Sequence, residues 1–468
     1  MSKDKNFVVP IKEKALFSIG ITGQNMTYAL ISAWLFYFCT SILYINPALV
    51  GIFLGIARVW DAINDAILGV AIDRRRFKTG EKLRPFLIRT PIWIGFLSAL
   101  LFTDIGLKSD WAKIAYIFII FLVWDILYTV QDIAQWGMTA LITPYSAERE
   151  NVSQWARIAG ELGAVIPWLM PVLIGNVAAF GISEKTLFLI CGILLGLGGM
   201  SLSMLTYSAK ERIRSEVPKE SIWGTLNLLF KNKIVMMIIV ANILSSIART
   251  LPPIYFFKYM VNEYNFFGLK IDGTSFVTVY TAVLAAPGFF AMFFATKLAK
   301  KVKGMVNILI IANLADIIAR IICYFIGYQG YAIIGVMAIM GIAGVPLGMI
   351  YIARTAIYGD ALDYMEYKTG KRAEAVTFAT QNLIEKALLG ISTLVTGLVL
   401  AYLHFDERLF DAGLPQSDRY VKWIWPIFML GPVIGSFLYI IPLLFIKYPE
   451  SLREKVEAEL LKRRKLAE

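Results

Sequence analysis

The chain has 468 residues, 58% of them hydrophobic and only 17% charged, with a mean hydropathy of +0.64. That composition excludes an ordinary soluble globular protein and fits a polytopic membrane protein. The formal charge of +12 is no nucleic-acid footprint, because Lys and Arg gather on alternate loops. Cys39, Cys191 and Cys323 fall inside apolar stretches and His404 is the single histidine, so disulfide, zinc and His-dependent chemistry are not expected.

In chain order, the opening MSKDKNFVVPIKEK is charged, carries no small-residue cleavage pattern and runs into a full-length span. It reads as a cytoplasmic tail, not a cleaved signal. Apolar runs of at least about 18 residues then predict twelve spans, at 15–44, 47–72, 86–105, 112–143, 154–180, 186–208, 233–260, 274–299, 305–328, 331–359, 374–402 and 422–447. An even number puts both termini on one side. The basic loops, at Arg74 to Arg84, Arg149, Lys210 to Lys219, Lys297 to Lys303 and Lys368 to Arg372, make that side cytoplasmic by the positive-inside rule. The expected address is a bacterial inner membrane, with the bilayer as partner and no nucleic acid.

The chain divides at its longest basic connection. Residues 1–207 and 233–447 each hold six spans, 208–232 form a cytoplasmic linker, and 448–468 form a cytoplasmic tail. DRRRFKTGEK after the second span is echoed by KLAKKVKG after the eighth, and the Arg149 loop by that of Lys371 and Arg372. This suggests duplicated bundles around a midplane cavity. Leu452, Val456 and Leu460 at i+4 spacing among Lys and Arg predict an amphipathic tail helix on the anionic inner leaflet.

Polar residues inside the spans fall on helical faces. The second span carries Arg58, Asp61, Asn64 and Asp65 at i, i+3, i+6 and i+7. The fourth carries Asp125, Tyr128, Thr129, Asp132 and Trp136. The first adds Gln24 and Asn25, the fifth Arg157 and Glu161, and the eleventh Gln381, Asn382, Glu385 and Lys386. At 1.5 Å per residue, Asp61 and Lys386 lie about 18 Å inside their spans and Asp65 about 12 Å, all near the midplane. Two unpaired carboxylates there cost roughly 5 to 7 kcal/mol.

Oxygens from Asp61, Asn64, Asp65 and Thr129 form a hard donor set for a small alkali cation, sodium at Asp61 and Asp65, and the same carboxylates can take a proton instead. Trp136, one turn from Asp132, is suited to the apolar face of a sugar while carboxylate and guanidinium bind its hydroxyls. The competing reading is structural pairing of Arg58 with Asp61, Arg157 with Glu161 and Glu385 with Lys386. For the set as a whole it is the weaker reading, because small residues and hydroxyls join helices at less cost.

The stretches ARVWDAINDAILG (57–69), YTVQDIAQWGM (128–138), ERENVSQWARIAGELG (148–163) and DALDYMEYKTGKRAEAVTFATQNLIEK (360–386) resemble the melibiose permease-like glycoside-pentoside-hexuronide cation symporters of the major facilitator superfamily. The resemblance spans nearly the whole chain. It implies an all-α membrane protein of two pseudo-symmetric six-helix bundles, and cation-coupled symport of a glycoside or other sugar by alternating access. Carried over by motif, it places the cation site at Asp61, Asn64, Asp65 and Thr129, and the sugar site at Tyr128, Asp132, Trp136, Arg157 and Lys386. Where the family has a sugar-binding aspartate on the first span this chain has Asn25, which keeps hydrogen-bonding capacity without the charge.

Residues 69–80, GVAIDRRRFKTG, resemble the signature loop of major facilitators, which makes Asp73 and Arg74 gating candidates. Asp360, Asp363, Glu366, Arg372 and Glu374 are expected to exchange salt bridges with Arg149 as that side opens. No cofactor is expected beyond co-transported sodium or proton, and a functional monomer is. A membrane enzyme is disfavoured because its carboxylate pair belongs near the interface. A lysolipid carrier of the same fold would trade polar sugar contacts for an apolar cleft.

Overall fold

The computed structural model describes residues 8–74, 77, 80–213, 232–248, 251–261, 263–266, 269–292, 294, 298, 301–302, 304–369, 374–446 and 450–467. Its helices group into two compact units, one of Met1–Pro218 with Leu400–Pro415, the other of Lys219–Val399 with Gln416–Glu468.

In the first unit, α1 (Ile11–Tyr37) continues as a π-helical turn to Ile42, and α2 spans Pro47–Arg74. The short α3 (Phe86–Arg89) precedes α4 (Pro91–Leu101), and α5 is a single helix over Asp110–Leu141. The fifth predicted span is α6 (Ser146–Val165) and α7 (Met170–Gly175), joined by a 3-10 turn containing Pro167. The sixth is α8 (Glu184–Cys191), a π-helical stretch over Gly192–Gly198 and α9 (Gly199–Ser203).

In the second unit the predicted seventh span is broken. α10 covers Lys233–Ser246 and α11 only Ile254–Met260, because Pro252 and Pro253 lack the N–H groups that would continue the ladder. A hairpin of β1 (Tyr264–Phe266) and β2 (Leu269–Ile271) follows, the one departure from helix among the described elements. Then come α12 (Gly273–Met292), α13 (Met305–Ile326), α14 (Ala332–Thr369), α15 (Glu374–Tyr402), the short α16 (Glu407–Asp411), which belongs to the first unit, and then α17 (Asp418–Leu443) and α18 (Glu450–Ala467). Among the described residues, eight helical stretches are long and apolar enough to cross a bilayer, and Phe86–Leu101, Lys233–Ser246 and Lys386–Tyr402 are shorter apolar ones.

Helix pairing repeats between the units. The packing of α2 on α5 is echoed by α12 on α14, and α4 on α5 by α13 on α14. Likewise α1 on α9 corresponds to α10 on α17, and α4 on the Gly192–Gly198 stretch to α13 on α17. Close approach rests on small residues, as membrane helices require. A Cβ on Gly163 of α6 would sit 2.2 Å from the Thr22 carbonyl of α1, and the Thr22 hydroxyl donates to the Ala159 carbonyl at 2.9 Å.

Two carboxylates, the buried Glu148 and the half-buried Glu211, fasten the loops that join the helices. Glu148 accepts from the Val8 and Val9 amides and the Thr143 hydroxyl, and its carboxylate lies 3.4 Å from Lys14 Nζ. Glu211 accepts from the amides of Lys82, Leu83 and Arg84, just ahead of α3, while Arg84 Nε donates to the Tyr207 carbonyl. The tail corrects an expectation. Val456 and Leu460 of α18 are 1% and 3% exposed, and α18 packs on α14, so its apolar face is covered by protein and not by the leaflet.

Candidate functional site

The first unit draws its polar residues together from α1, α2 and α5. On α2, Asp61 and Asn64 are buried and Asp65 is half-buried. Thr129 of α5, also buried, donates its hydroxyl to Asp65 Oδ1 at 2.9 Å. Arg58 Nη1 lies 4.0 Å from Asp61 Oδ2 and its Nη2 donates to the Ser32 hydroxyl at 3.2 Å. The guanidinium rests over the Phe121 and Tyr28 rings at 5.5 and 6.0 Å. One arginine therefore serves Asp61 loosely, while Asp65 takes a neutral hydroxyl.

These groups fit a small cation. Two carboxylates and a hydroxyl are hard oxygen donors on neighbouring helices. The buried Asn64 Nδ2 has no partner, and a half-turn of that amide presents its oxygen instead.

Asp132 sits three residues along α5 from Thr129 and accepts from Gln24 Nε2 of α1 at 2.7 Å. The same amide nitrogen lies 3.3 Å from the Tyr128 hydroxyl. Tyr128 is held between Tyr28 and Trp124, with ring centroids at 5.2 and 4.7 Å. Asn25, one residue and about 100° further round α1, turns to α6. Its amide donates to the Ile21 carbonyl at 3.1 Å, and a Cβ added to Gly160 would meet it at 3.0 Å. The first-helix side chain beside Asp132 is thus Gln24, not the expected Asn25.

Trp136 is half-buried one turn beyond Asp132, with the Arg157 guanidinium 6.0 Å from its ring centre. Arg157 is exposed and forms no ion pair with Glu161. It lines a cavity of about 640 Å³ with Arg149, Glu150, Ser153, Gln154 and Thr139, at the end of α5 and α6 that carries the basic loop. Gln135 of α5, absent from the sequence-derived set, is 1% exposed with both amide atoms unpartnered, and Gln24 Oε1 is likewise unpartnered. The i+3 step from Asp132 to Gln135 was the available signal.

The remaining expected residues are scattered. Lys386 is half-buried on α15 of the second unit. Arg149 is half-buried at the start of α6. Asp360 pairs with Arg453 of the tail helix, Nε to Oδ1 at 3.0 Å, and Asp363 and Glu366 are half-buried on the same α14. Arg372 and the side chains of Asp73, Arg74 and Glu374 lie outside the described residues.

The second unit holds a cluster the sequence reading passed over. Asp316 of α13, 1% exposed, accepts from Arg320 Nε at 2.7 Å and from the Ser436 hydroxyl of α17 at 2.7 Å. An Asp-Arg i,i+4 pair inside NILIIANLADIIARIICYFI was its sequence signal. Arg354 of α14 adds a further half-buried guanidinium, with Nη1 3.4 Å from Asn242 Oδ1.

A family profile described as MFS/sugar transport protein matches residues 16–450. The chain is 26% identical over 469 residues to the isoprimeverose transporter of Lactiplantibacillus pentosus, covering 97% of this chain and 91% of that protein. It is 24% identical over 438 residues to the inner membrane symporter YicJ of Escherichia coli strain K12, covering 92% and 90%. Among solved structures it superposes on a D-xylose-proton symporter with a TM-score of 0.60 at 12% identity, over 92% of this chain and 96% of that one, a likeness of fold.

Proposed function

Because the chain belongs to the MFS/sugar transport protein family, as a member resembling the glycoside-pentoside-hexuronide cation symporters, we propose that it imports a glycoside or related sugar. The sugar travels with a monovalent cation, sodium or proton, by alternating access. It is a transporter, not an enzyme. Its relatives bear the names of a sugar transporter and a symporter.

The observation that carries the coupling is on α5. Thr129, hydrogen-bonded to Asp65, and Asp132, hydrogen-bonded to Gln24, are three residues apart, about 4.5 Å along the axis. A cation drawn to Asp61 and Asp65 competes for the Thr129 hydroxyl and so bears on the turn that presents Asp132 and Trp136. It also offsets carboxylate charge inside the membrane, which makes a closed, loaded state less costly than a closed, empty one. Cation and sugar then raise each other's affinity by the same factor.

In this reading Asp132 accepts from sugar hydroxyls, Trp136 stacks on the ring, and Arg157, Gln24 and Gln135 complete the polar lining. The basic loops and both termini face the cytoplasm. In the same reading Arg149, which lines the 640 Å³ cavity, and Asp360, which pairs with Arg453, gate that face. The unit of function is one chain.

Uptake of labelled glycosides, pentosides and hexuronides into vesicles under an imposed sodium or proton gradient is the test. Wild type accumulates one class with one cation. In Asp65→Ala, gradient-driven accumulation falls by roughly two orders of magnitude, the equivalent of about 3 kcal/mol of lost ion contact. Full ion-driven uptake by that variant refutes the cation assignment.

A further inference from the structure

The second unit encloses a cavity of about 230 Å³ whose lining includes Tyr280, Leu284, Asp316, Arg320, Leu347 and Phe428. Asp316 lies at the middle of α13, about 17 Å from its start, and Arg320 one turn further on, at about 23 Å. A pair needed only to join α13 to α17 is already complete, because Asp316 uses one oxygen for Arg320 Nε and the other for Ser436. Arg320 has more to give. A guanidinium carries five N–H donors. Nε serves Asp316, and Tyr280 lines the same cavity. Arg320 itself lines the cavity.

The chemistry of an occupant follows. Asp316 already meets the charge of Arg320 at 2.7 Å, so an entering carboxylate would leave one negative charge uncompensated between Leu284 and Leu347. A neutral ligand with two adjacent acceptors suits the preset guanidinium fork. Tyr280 and Phe428, with ring centroids 5.8 Å apart, supply an aromatic wall. At about 30 Å³ per water the volume equals some eight waters, room for one sugar ring and not two.

Resting on the sugar-transport reading above, we infer that this cavity is a second carbohydrate site, which takes one neutral sugar ring through adjacent hydroxyls on Arg320 and through its apolar face on Tyr280 and Phe428. It differs in kind from the acid-rich site on α2 and α5, since its charge is balanced before any ligand arrives.

Calorimetric titration of the full-length protein in detergent tests this, with methyl β-glucopyranoside as the neutral probe and glucuronate as the charged one. Arg320→Lys is the variant of choice because it keeps a positive charge beside Asp316 while removing the fork. Wild type is expected to show two neutral-sugar binding events per chain. Arg320→Lys weakens one of them by about tenfold or more, Tyr280→Phe weakens the same event, and Asp132→Asn weakens only the other. A single event that Asp132→Asn removes and Arg320→Lys leaves untouched overturns the second site and leaves the transport reading standing. A single event lost in both variants also overturns a separate site. Tighter binding of glucuronate than of the neutral glycoside at the Arg320-dependent event overturns the assignment to neutral sugars. No binding of methyl β-glucopyranoside by wild type overturns the second site, while the transport reading stands or falls by the uptake test above.

Discussion

The two units solve the same problem, charge inside a membrane, in opposite ways. In the central turns of its helices the first unit places Asp61, Asp65, Asp125, Asp132 and Glu161 against Arg58 and Arg157, five acids to two bases. Among its described side chains the second places Asp316 against Arg320, Arg354 and Lys386, one acid to three bases. The contacts differ as well. Arg58 and Asp61 stand 4.0 Å apart, whereas Arg320 and Asp316 meet at 2.7 Å with Ser436 completing the carboxylate. A unit with excess acid and slack pairing has a use for a cation; a unit whose carboxylate is saturated by its own side chains does not.

The sharpest way to break that contrast is to remove Asp316. Asp316→Ala leaves Arg320 buried without its partner, and truncating one member of a buried pair costs about 3–5 kcal/mol. Thermal unfolding in detergent is expected to show that loss, and added sodium is expected not to restore it. Sodium-dependent recovery of stability would place a cation site in the second unit and erase the difference between the two.

Much of the fold was legible because most spans declare themselves by length and apolarity, and the polar stripe on α2 because i, i+3 and i+7 positions share a face. The break at Leu251–Pro253 was written in two adjacent prolines, but an apolar count across 233–260 runs straight over them. The tail was misassigned because an amphipathic pattern states that one face is apolar without saying what covers it. Gln24 and Asn25 were indistinguishable on composition, since both carry an amide. What separates them is rotation about α1, fixed by the tight contact of Thr22 and Asn25 with Gly163 and Gly160.

That rotation supports a smaller test on the first unit. Gln24→Ala removes a donor to the Asp132 carboxylate and is expected to change sugar affinity by roughly 10- to 150-fold, the equivalent of about 1.5–3 kcal/mol for a hydrogen bond to a charged group. Asn25→Ala removes an amide bonded within its own helix and is expected to change affinity less than twofold, a few tenths of a kcal/mol. Equal effects from the two would mean that α1 is turned differently in the sugar-bound protein.

Two ion pairs of the first unit outside the membrane-spanning segments bear on stability and not on transport. Burial pushes the Glu13 carboxyl up, but its bonds from Arg212 and the Lys210 amide outweigh burial and hold it below its ordinary value of 4.5. Asp104 is held below its ordinary 3.8 chiefly by its hydrogen bond from Lys185. Both carboxyls have depressed folded values, so the stability they add is present above 4.5 and 3.8 respectively and is lost as pH falls through the folded values. The magnitudes separate by exposure. Glu13 and Arg212 side chains are 8% and 23% exposed, whereas Lys185 is 54% exposed and its pair is screened by water. Glu13→Gln is therefore expected to cost about 1–2 kcal/mol at neutral pH and to flatten the acid limb of the unfolding profile. Lys185→Ala is expected to cost about 0–1 kcal/mol and to leave that limb nearly unchanged. If Lys185→Ala matched Glu13→Gln in unfolding scans between pH values of about 7 and 4, the Asp104 pair would be holding the start of α8 in place, not decorating the surface, because only an interaction with structural reach survives that degree of exposure.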